Sequence, residues 1–432
     1  MHLNGTILSF SKRLFGFYIN IFFLLAISLN GFYFLDSETI NIMGISYKNI
    51  AYLLAMVWIV LKFPCKKPKN GYHFQYLILS MIPLSIIGAS VSWIRYGGSI
   101  FTFVKLIKDE ADIWLLGLLY FPLVKVVKQY KITVVEYKKC IECFSIILLT
   151  LTIIQYFTYP HIVFLKTYTG IRYDQMRFFY QTLLFTIFMT LQLEKIIIVK
   201  NRAITIRAIL GIMAVLFEFM VVEKFRNTTM CALMVCAFAI FFWKGISLKK
   251  VLAWALGIVA ALYLLQTQMV QDVLKTVLYG DTNVYTNTTD FRNIFSVWVV
   301  SKWIENPLSF IFGQGIVSGT NGSLAAVTTG IQTAGGKIFI AGDHGIVAWV
   351  YMFGLTGVIW FLYMLYKCAK TPLSSTGKAS KTSPYFLVSL MLLLQSRSET
   401  PWYNSLGMII MVIFIGLMEC EYNECNEKRS IK

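Results

Sequence analysis

The chain has 432 residues, of which 57% are hydrophobic and 14% are charged. Together with a mean hydropathy of +0.66, this composition excludes a soluble globular protein and indicates an integral membrane protein. The formal net charge of +18 would suggest a nucleic-acid partner in a soluble chain, but the basic residues form short clusters between apolar runs. Such clusters are typical of the cytoplasmic loops of membrane proteins, so we expect a lipid bilayer and no nucleic acid as partner.

Apolar runs long enough to cross a bilayer recur along the chain. A membrane-spanning helix needs about 20 apolar residues at roughly 1.5 Å of rise each. The first run follows Lys12 and Arg13 and shows no small-residue cleavage site near its end, so it predicts an uncleaved helix. Twelve candidates, counted to within about two, lie near residues 14–35, 47–63, 74–94, 111–127, 143–165, 178–194, 206–222, 229–243, 251–269, 344–366, 384–396 and 404–420.

These runs predict an all-α polytopic membrane protein with about 12 transmembrane helices and both termini in the cytoplasm. The expected organisation is one integral membrane domain over residues 1–432, with a long periplasmic loop at residues 270–343 between helices 9 and 10. In this arrangement 25 of the 39 basic residues lie on the cytoplasmic side, as the positive-inside rule requires. Residues 421–432 are expected to form a loose charged tail.

Basic residues on the predicted outer side oppose the orientation rule and therefore point to a function. Six of these fourteen residues are Arg, against four of the 25 inner ones, and Arg binds phosphate and carboxylate groups in a bidentate manner. Arg226 lies between two spans, within reach of a lipid head group, while Arg172 and Arg177 share another outer loop. The alternative interpretations are a helix-end anchor for Arg226 and a solvated loop surface for the other two.

The long outer loop carries further candidate residues. Asp290 and Arg292 lie in an amphipathic segment with two tryptophans, and Gly313 and Gly315 form a Gly-x-Gly that permits a tight turn or close approach to a ligand. His344 follows an aspartate at the start of a span, where a histidine can act as a general base near neutral pH. The alternative is a polar residue at a helix start that the aspartate caps.

Several sequence patterns are absent. The chain shows no His, Asp and Glu cluster with metal-ligand spacing and no nucleotide-binding loop, so we expect chemistry without a metal, a cofactor or ATP. The eight cysteines fall in spans or in loops predicted to be cytoplasmic, so no disulfide is expected. The internal repeat of many secondary transporters is not visible.

In their order along the chain, these features resemble the O-antigen polymerase and O-antigen ligase superfamily, the Wzy-type and ligase-type membrane glycosyltransferases. The resemblance covers roughly residues 160–366. It rests on an Arg at a helix end, a long late outer loop, an Arg followed by Trp, an Asn-Pro-Leu with Gly-x-Gly, and a His at a helix start followed by Gly-Leu-x-Gly. In this sequence those features are Arg226, residues 270–343, Arg292 and Trp298, Asn306 to Leu308 with Gly313 and Gly315, and His344 with Gly354 to Gly357.

The resemblance implies transfer of a glycan from undecaprenyl pyrophosphate to an acceptor hydroxyl on the periplasmic face, without a metal. Arg226 and Arg292 would then hold the pyrophosphate and stabilise its charge, and His344 would activate or orient the acceptor hydroxyl. The substrate-binding residues would be Arg172, Arg177, Asp290, Gly313 and Gly315. Gly345 departs from the family pattern, in which Asn or Ser commonly follows the histidine.

The function that we expect from this resemblance is polymerisation of lipid-linked oligosaccharide repeat units for O-antigen or capsular polysaccharide. The protein would be a multi-pass protein of the bacterial inner membrane with its active site facing the periplasm. Its partners would be undecaprenyl-pyrophosphate-linked oligosaccharide and, as a candidate, a chain-length regulator protein. The alternatives are an O-antigen ligase that transfers glycan to the lipid A core, a transporter or flippase of the same lipid-linked units, and a non-catalytic membrane scaffold.

Overall fold

The computed structural model of the protein describes residues 2–35, 41–42, 45–62, 71–96, 99–167, 169–172, 175–199, 201–242, 304, 306–313, 345–373, 380–397 and 407–430. In these ranges the regular structure is helical apart from two small antiparallel hairpins. The helices are α1 (His2–Ser28), α2 (Tyr47–Lys62), α3 (Gln75–Leu79), α4 (Met81–Tyr96), α5 (Ile100–Gly117), α6 (Tyr120–Gln129), α7 (Val134–Thr158), α8 (Thr182–Ile198), α9 (Arg202–Phe217), α10 (Arg226–Phe242), α11 (Pro307–Phe312), α12 (Gly345–Ala369), α13 (Pro384–Gln395) and α14 (Gly407–Ser430). A π-helix (Glu218–Val222) continues α9, and the hairpins are β1 (Asn41–Ile42) with β2 (Ile45–Ser46) and β3 (Thr169–Arg172) with β4 (Gln175–Phe178).

Four helical segments among the described residues are long and apolar enough to cross a membrane. They are Gln75–Ile94, Val134–Thr158, Arg202–Val222 and Gly345–Ala369. Three shorter apolar helices cover Asn49–Lys62, Asn227–Phe242 and Pro384–Gln395. These helices fit a multi-pass membrane protein, whereas the number of twelve spans stays a prediction. Its ninth candidate, residues 251–269, lies outside the described residues, as does most of the predicted loop at 270–343.

Three predicted spans have wrong bounds, and the first of them, residues 14–35, belongs to α1, which runs from His2 to Ser28. The run at 143–165 belongs to α7, which begins at residue 134 because Thr133 and Glu136 form a capping box: the Glu136 backbone N–H donates to the Thr133 hydroxyl, and the Thr133 N–H donates to the Glu136 carboxylate. The run at 111–127 is divided between α5 and α6. Apolar content alone located these runs but not the helix ends.

The expectation of a loose tail at 421–432 is wrong for its described part, because α14 continues as a helix to Ser430. Tyr385 donates a hydrogen bond to Glu421 at 2.5 Å, and the backbone N–H of Val134 donates to Glu424 at 2.5 Å. The carboxylates of the last helix therefore bind groups at the ends of α13 and α7, which keeps the chain ordered beyond its apolar part.

Ion pairs collect at one end of the bundle. Lys138 of α7 contacts Glu194 of α8 at 2.8 Å and Glu421 of α14 at 3.8 Å, and Lys195 contacts Glu142 at 2.6 Å. We call this region the ion-pair end. The charge pattern predicts all of these residues on or near the cytoplasmic side, and the structure brings them together. Which side of the membrane this end faces stays a prediction.

The opposite end of the bundle contains the β3–β4 hairpin, and we call it the hairpin end. α7 runs between the two ends, from the ion pairs of Lys138 to Gln155, whose side chain bonds the loop that leads to β3. The span formed by α9 and the π-helix also ends here, since the ring of Phe217 stacks at 6.0 Å on that of Phe157 in α7.

α11 packs against a kink in α12. Gly354 has non-helical dihedral angles (φ 61°, ψ −155°), and a Cβ atom built on it would lie 2.5 Å from the backbone nitrogen of Gly313. A Cβ on Gly313 (φ 77°) would in turn overlap the carbonyl group of Met352. The backbones thus meet where only glycine fits. The contact lies about 14 Å from the start of α12 at 1.5 Å of rise per residue.

Side chains compensate for the hydrogen bonds that the α12 kink interrupts. The Thr356 hydroxyl donates to the carbonyl of Phe353 at 2.8 Å, and the Trp349 indole donates to the carbonyl of Gly357 at 2.8 Å. The run Gly354 to Gly357, which carries part of the family resemblance, therefore forms a kink with its own polar contacts.

Candidate functional site

The two predicted outer arginines Arg172 and Arg177 lie on the β3–β4 hairpin. Arg172 pairs with Gln175 next to the turn, and Arg177 pairs with Gly170 two steps nearer the base. Because side-chain positions alternate along a strand, this register places both arginines at positions on one face of the hairpin. On one straight strand, two residues five positions apart would lie on opposite faces. The turn of the hairpin therefore brings the two arginine positions to the same face.

Tyr33, just after α1, holds the base of this hairpin from both sides. The backbone N–H of Lys166, before β3, donates to the Tyr33 carbonyl at 2.5 Å. The backbone N–H of Gln181, after β4, donates to the Tyr33 hydroxyl at 2.8 Å. The tyrosine thereby fixes the place where the chain leaves α7 and returns into α8.

Gln155 of α7 holds the loop that leads from α7 to the β3–β4 hairpin. Its side chain is fully buried and accepts hydrogen bonds from the backbone N–H groups of Phe164 and Leu165, both at 2.8 Å, while it donates to the carbonyl of Ile162 at 3.0 Å. A buried amide with these partners satisfies backbone groups of a loop that lies outside the helices and strands.

The π-helix leads the chain to Arg226 through a wide turn. The backbone N–H of Glu223 donates to the carbonyl of Glu218 at 2.9 Å, and that of Phe225 donates to the carbonyl of Phe219 at 2.9 Å. Lys224 takes the left-handed conformation (φ 54°). Arg226 is then the first residue of α10, at the positive end of that helix dipole.

One aromatic contact joins the turn before Arg226 to the hairpin. The rings of Phe179, directly after β4, and Phe225, directly before α10, lie 5.7 Å apart in an edge-to-face arrangement. The backbone of Arg177 is two residues from one of these rings and that of Arg226 is next to the other. The structure therefore brings two segments with predicted site residues to the same place, although about fifty residues separate them in sequence.

A cluster of buried polar side chains lies beside this contact; we call it the Glu218 cluster and define it as Tyr33, Thr152, Tyr180, Glu218 and Glu223. Glu218 and Glu223 have no exposed surface. The rings of Tyr33 and Tyr180 lie 5.0 Å apart, and both phenols are within electrostatic range of the two carboxylates. Two buried carboxylates at a membrane boundary are rare enough to indicate a functional site.

The Glu218 carboxylate has hydrogen-bonding capacity that the described residues do not fill. Its Oε2 atom lies 2.9 Å from the Thr152 hydroxyl, which is also 3.0 Å from the carbonyl of Leu149. A hydroxyl has one proton, so it cannot donate to both. Glu218 Oε1 and the Tyr180 hydroxyl are buried without a hydrogen-bond partner among the described residues. The cluster can therefore accept and donate further hydrogen bonds.

Gly313 is the one predicted residue of the Gly-x-Gly that the structure describes. It ends α11 and contacts α12 through its backbone, so packing alone accounts for a glycine at this position. Its role in substrate binding stays a prediction. The predicted residues Asp290, Arg292, Gly315 and His344 lie outside the described residues, and the side chains of Arg172, Arg177 and Arg226 do so as well.

The start of α12, which follows His344 in sequence, lies at the hairpin end. The backbone N–H of Ile346 donates to the carbonyl of Ser396, just after α13, at 2.6 Å. The rings of Phe386, at the start of α13, and Phe238, near the end of α10, stack at 5.6 Å. α13 and α10 are therefore antiparallel, and the end of α13 lies with the start of α10, where Arg226 is.

Comparisons with known proteins assign the chain to no family. No protein-family model matches the chain, and a search of curated proteins finds no match.

Sequence reasoning missed the Glu218 cluster. A signal was present, because Glu218 is an acidic residue inside the apolar run at 206–222, and such residues face the interior of a helix bundle or a water-filled cavity. The tyrosines gave no signal, since they are two of 24 in the chain and only the fold brings them to Glu218.

Proposed function

We propose that the protein is a membrane glycosyltransferase that polymerises undecaprenyl-pyrophosphate-linked oligosaccharide repeat units on the periplasmic face of a bacterial inner membrane. The observation that supports this proposal most is the contact between Phe179 and Phe225, which joins the hairpin of Arg172 and Arg177 to the turn of Arg226. Three arginine positions at one membrane boundary suit a diphosphate group, whose charge needs several cations in a low-dielectric setting.

In the proposed reaction the acceptor hydroxyl attacks the anomeric carbon of the donor glycan, and the bond from that carbon to the pyrophosphate oxygen breaks. Arg226 and Arg292 stabilise the charge that develops on the leaving undecaprenyl pyrophosphate. The positive end of the α10 dipole at Arg226 adds to this stabilisation. His344 takes the proton of the attacking hydroxyl.

The Glu218 cluster is suited to binding the glycan part of the substrate in the same reaction. Carboxylate, phenol and hydroxyl groups are the partners that sugar hydroxyls use, and the cluster has open hydrogen-bonding capacity at Glu218 and Tyr180. Aromatic rings surround it, including Phe178, Tyr156 and Tyr159, and flat rings pack against the apolar faces of sugars. The cluster therefore supports a glycan substrate in addition to a lipid pyrophosphate.

The test uses the purified full-length protein with lipid-linked repeat units extracted from the bacterium that makes it, followed on a gel without added nucleotide. A ladder of products is expected. Arg226→Ala should lower the rate by about 10²- to 10³-fold, as removal of a charge-stabilising donor does in other enzymes. Arg202→Ala, an exposed arginine at the opposite end of α9, is the matched control and should leave the ladder unchanged.

Other outcomes select other functions. A single transferred product that appears only when lipid A core is added would identify an O-antigen ligase. The transporter or flippase is a second candidate because Glu218 is a buried acid inside a membrane-spanning segment, as transport pathways contain. Movement of intact lipid-linked units across proteoliposome membranes without any new glycosidic bond would favour the transporter and contradict the proposed enzyme.

A further inference from the structure

A groove between α1 and α2 opens near the ion-pair end, away from the Glu218 cluster. It has a volume of about 350 Å³ and is lined mainly by apolar side chains, among them Ile19, Val57, Trp58 and Leu61, with Lys62 and Tyr130 also lining it. This volume is at the lower end of the range for small-molecule sites. The groove is therefore large enough for part of a lipid chain.

The floor of the groove is formed by close packing of Gly16 and Asn20 of α1 with Tyr130 and Trp58. Gly16 leaves room for the ring of Tyr130, since a Cβ atom at this position would lie 2.6 Å from Tyr130 Cε1. Asn20, also in the floor, donates to the carbonyl of Gly16 at 2.7 Å and accepts from the Trp58 indole at 3.1 Å. The side-chain amide of Asn20 is thus satisfied by Gly16 and Trp58, so it adds little polar surface to the groove.

The charges beside the groove are positive. Lys62 is the last residue of α2 and lines the groove. Lys12 lies one turn of α1 before Gly16, and Lys131 directly follows Tyr130; both are exposed. The nearby carboxylate of Glu136 pairs with Arg13, and no carboxylate lines the groove among the described residues.

The outer edges of the groove consist of exposed apolar side chains. Leu61 is 68% exposed and Ile19 is 49% exposed, which suits contact with hydrocarbon rather than with water in a membrane protein. An apolar groove that is lined by Lys62, with Lys12 and Lys131 near its lining residues in sequence, matches an amphiphile with an anionic head and a long apolar chain.

We propose that this groove is a binding site for an anionic glycerophospholipid, with one acyl chain along α1 and α2 and its phosphate at Lys62. The Tyr130 side chain contributes to the wall beside Gly16, and Lys12 and Lys131 add to the positive potential at the head group. The occupant is a phospholipid of the leaflet at the ion-pair end. The inference does not depend on the proposed glycosyltransferase activity.

The experiment titrates the purified full-length protein with phosphatidylglycerol and with phosphatidylethanolamine of the same chain length, and counts retained lipids by native mass spectrometry. Wild-type protein should retain phosphatidylglycerol preferentially. Lys62→Gln should weaken that retention about fivefold, as expected for one lysine near an anionic lipid surface, and should leave phosphatidylethanolamine unchanged. Lys428→Gln is the control, because this lysine is exposed on α14 and does not line the groove.

A second pair of variants tests whether the apolar part of the groove binds the acyl chain. Ile19→Trp should fill the groove and lower retention of both lipids, whereas Val60→Trp, at an exposed position of α2 that does not line the groove, should not. Equal retention of the two lipids by wild-type protein, or an unchanged preference in Lys62→Gln, would overturn the proposal. Displacement of phosphatidylglycerol by a small excess of undecaprenyl phosphate would assign the groove to a polyprenyl lipid instead. Thermal unfolding of each variant excludes misfolding as the cause of lost binding.

Discussion

At the residue scale, Glu218 is the most unusual side chain of the described part of the chain. It is fully buried in a π-helix, and a π-helix within an α-helix frequently marks a functional site. The Thr152 hydroxyl is the one hydrogen-bond partner of the Glu218 carboxylate among the described residues. The pair joins α7 to the end of the α9 span, so it ties the turn before Arg226 to the centre of the bundle.

We predict that Thr152→Val lowers the stability of the protein by about 1–3 kcal/mol, because the change leaves a buried carboxyl group without its partner. Thermal unfolding in detergent measures this as a lower Tm. Thr150→Val is the matched control on the same helix: the Thr150 hydroxyl is exposed and bonds only the carbonyl of Ile146, so its Tm should stay near that of the wild type. Equal Tm values for the two variants would contradict a structural role of the Thr152–Glu218 contact.

The residue scale also shows why the candidate site was only partly predictable. Arginines in predicted outer loops can be found from charge and topology, as Arg172, Arg177 and Arg226 were. The grouping of the arginine positions depends on the register of β3–β4 and on one ring contact, and neither is encoded in a local pattern. The Glu218 cluster combines residues from four separate segments, and sequence spacing does not show that these segments meet.

At the scale of elements, the crossing of α11 and α12 is held by backbone contact. Gly313 and Gly354 both have positive φ; a Cβ atom on Gly354 would overlap the backbone nitrogen of Gly313, and one on Gly313 would overlap the carbonyl group of Met352. A side chain at either position adds the strain of the left-handed conformation to a clash with backbone atoms, which cannot move aside as a side-chain tip can.

We predict that Gly313→Ala destabilises the protein by about 3 kcal/mol. The expected readout is a lower Tm and a smaller yield of monodisperse protein from membranes. Gly117→Ala is the control, since a Cβ on Gly117 would make ordinary contacts with Ile78 and Met81 at 3.7 and 3.8 Å. If Gly313→Ala were as stable as Gly117→Ala but failed to bind lipid-linked substrate, Gly313 would have the substrate-binding role that its Gly-x-Gly suggested.

Element positions were predictable where apolar runs are long and closed by clear signals. The helices α8, α12 and α13 begin and end within a few residues of the predicted runs. The early start of α7 depends on the Thr133–Glu136 capping box, which lies in a charged stretch that hydropathy assigns to a loop. The helical end of α14 depends on Tyr385 and Val134, so no local property of residues 421–430 could predict it.

At the scale of the whole molecule, the two polar ends of the bundle agree with the predicted alternation of the spans. Lys138 and Lys195, which charge assigns to the inner side, lie at the ion-pair end, and the backbone of Arg172, Arg177 and Arg226, which are assigned to outer loops, lies at the hairpin end. An odd error in the number of spans between two of these segments would have placed their ends on opposite sides, whereas an error of two would not, so the number of spans stays a prediction. The grouping supports the order of crossings among the described helices, while the absolute orientation rests on the positive-inside rule.

We predict that a maleimide that cannot cross membranes labels Ile162→Cys in spheroplasts but labels Lys131→Cys only after permeabilisation. Both positions are exposed and lie beyond opposite ends of α7. The experiment uses a variant without the eight native cysteines, and that parent variant serves as the control for background labelling. The reverse pattern would place the hairpin end in the cytoplasm and remove the periplasmic site from the proposed function.

The last helix, α14, provides hydrogen-bond and ion-pair partners for residues in the first third of the chain. The Val134 N–H and the side chains of Tyr120 and Lys138 have partners on α14 in Glu424, Glu419 and Glu421. The chain between Val134 and Glu424 is 290 residues long, so at about 5–20 residues per second their partners are synthesised roughly 15 to 60 s later. During synthesis the early helices therefore lack these α14 partners, although Lys138 can already pair with Glu194 of α8. A chain that stops before residue 419 lacks the α14 partners of Val134, Tyr120 and Lys138.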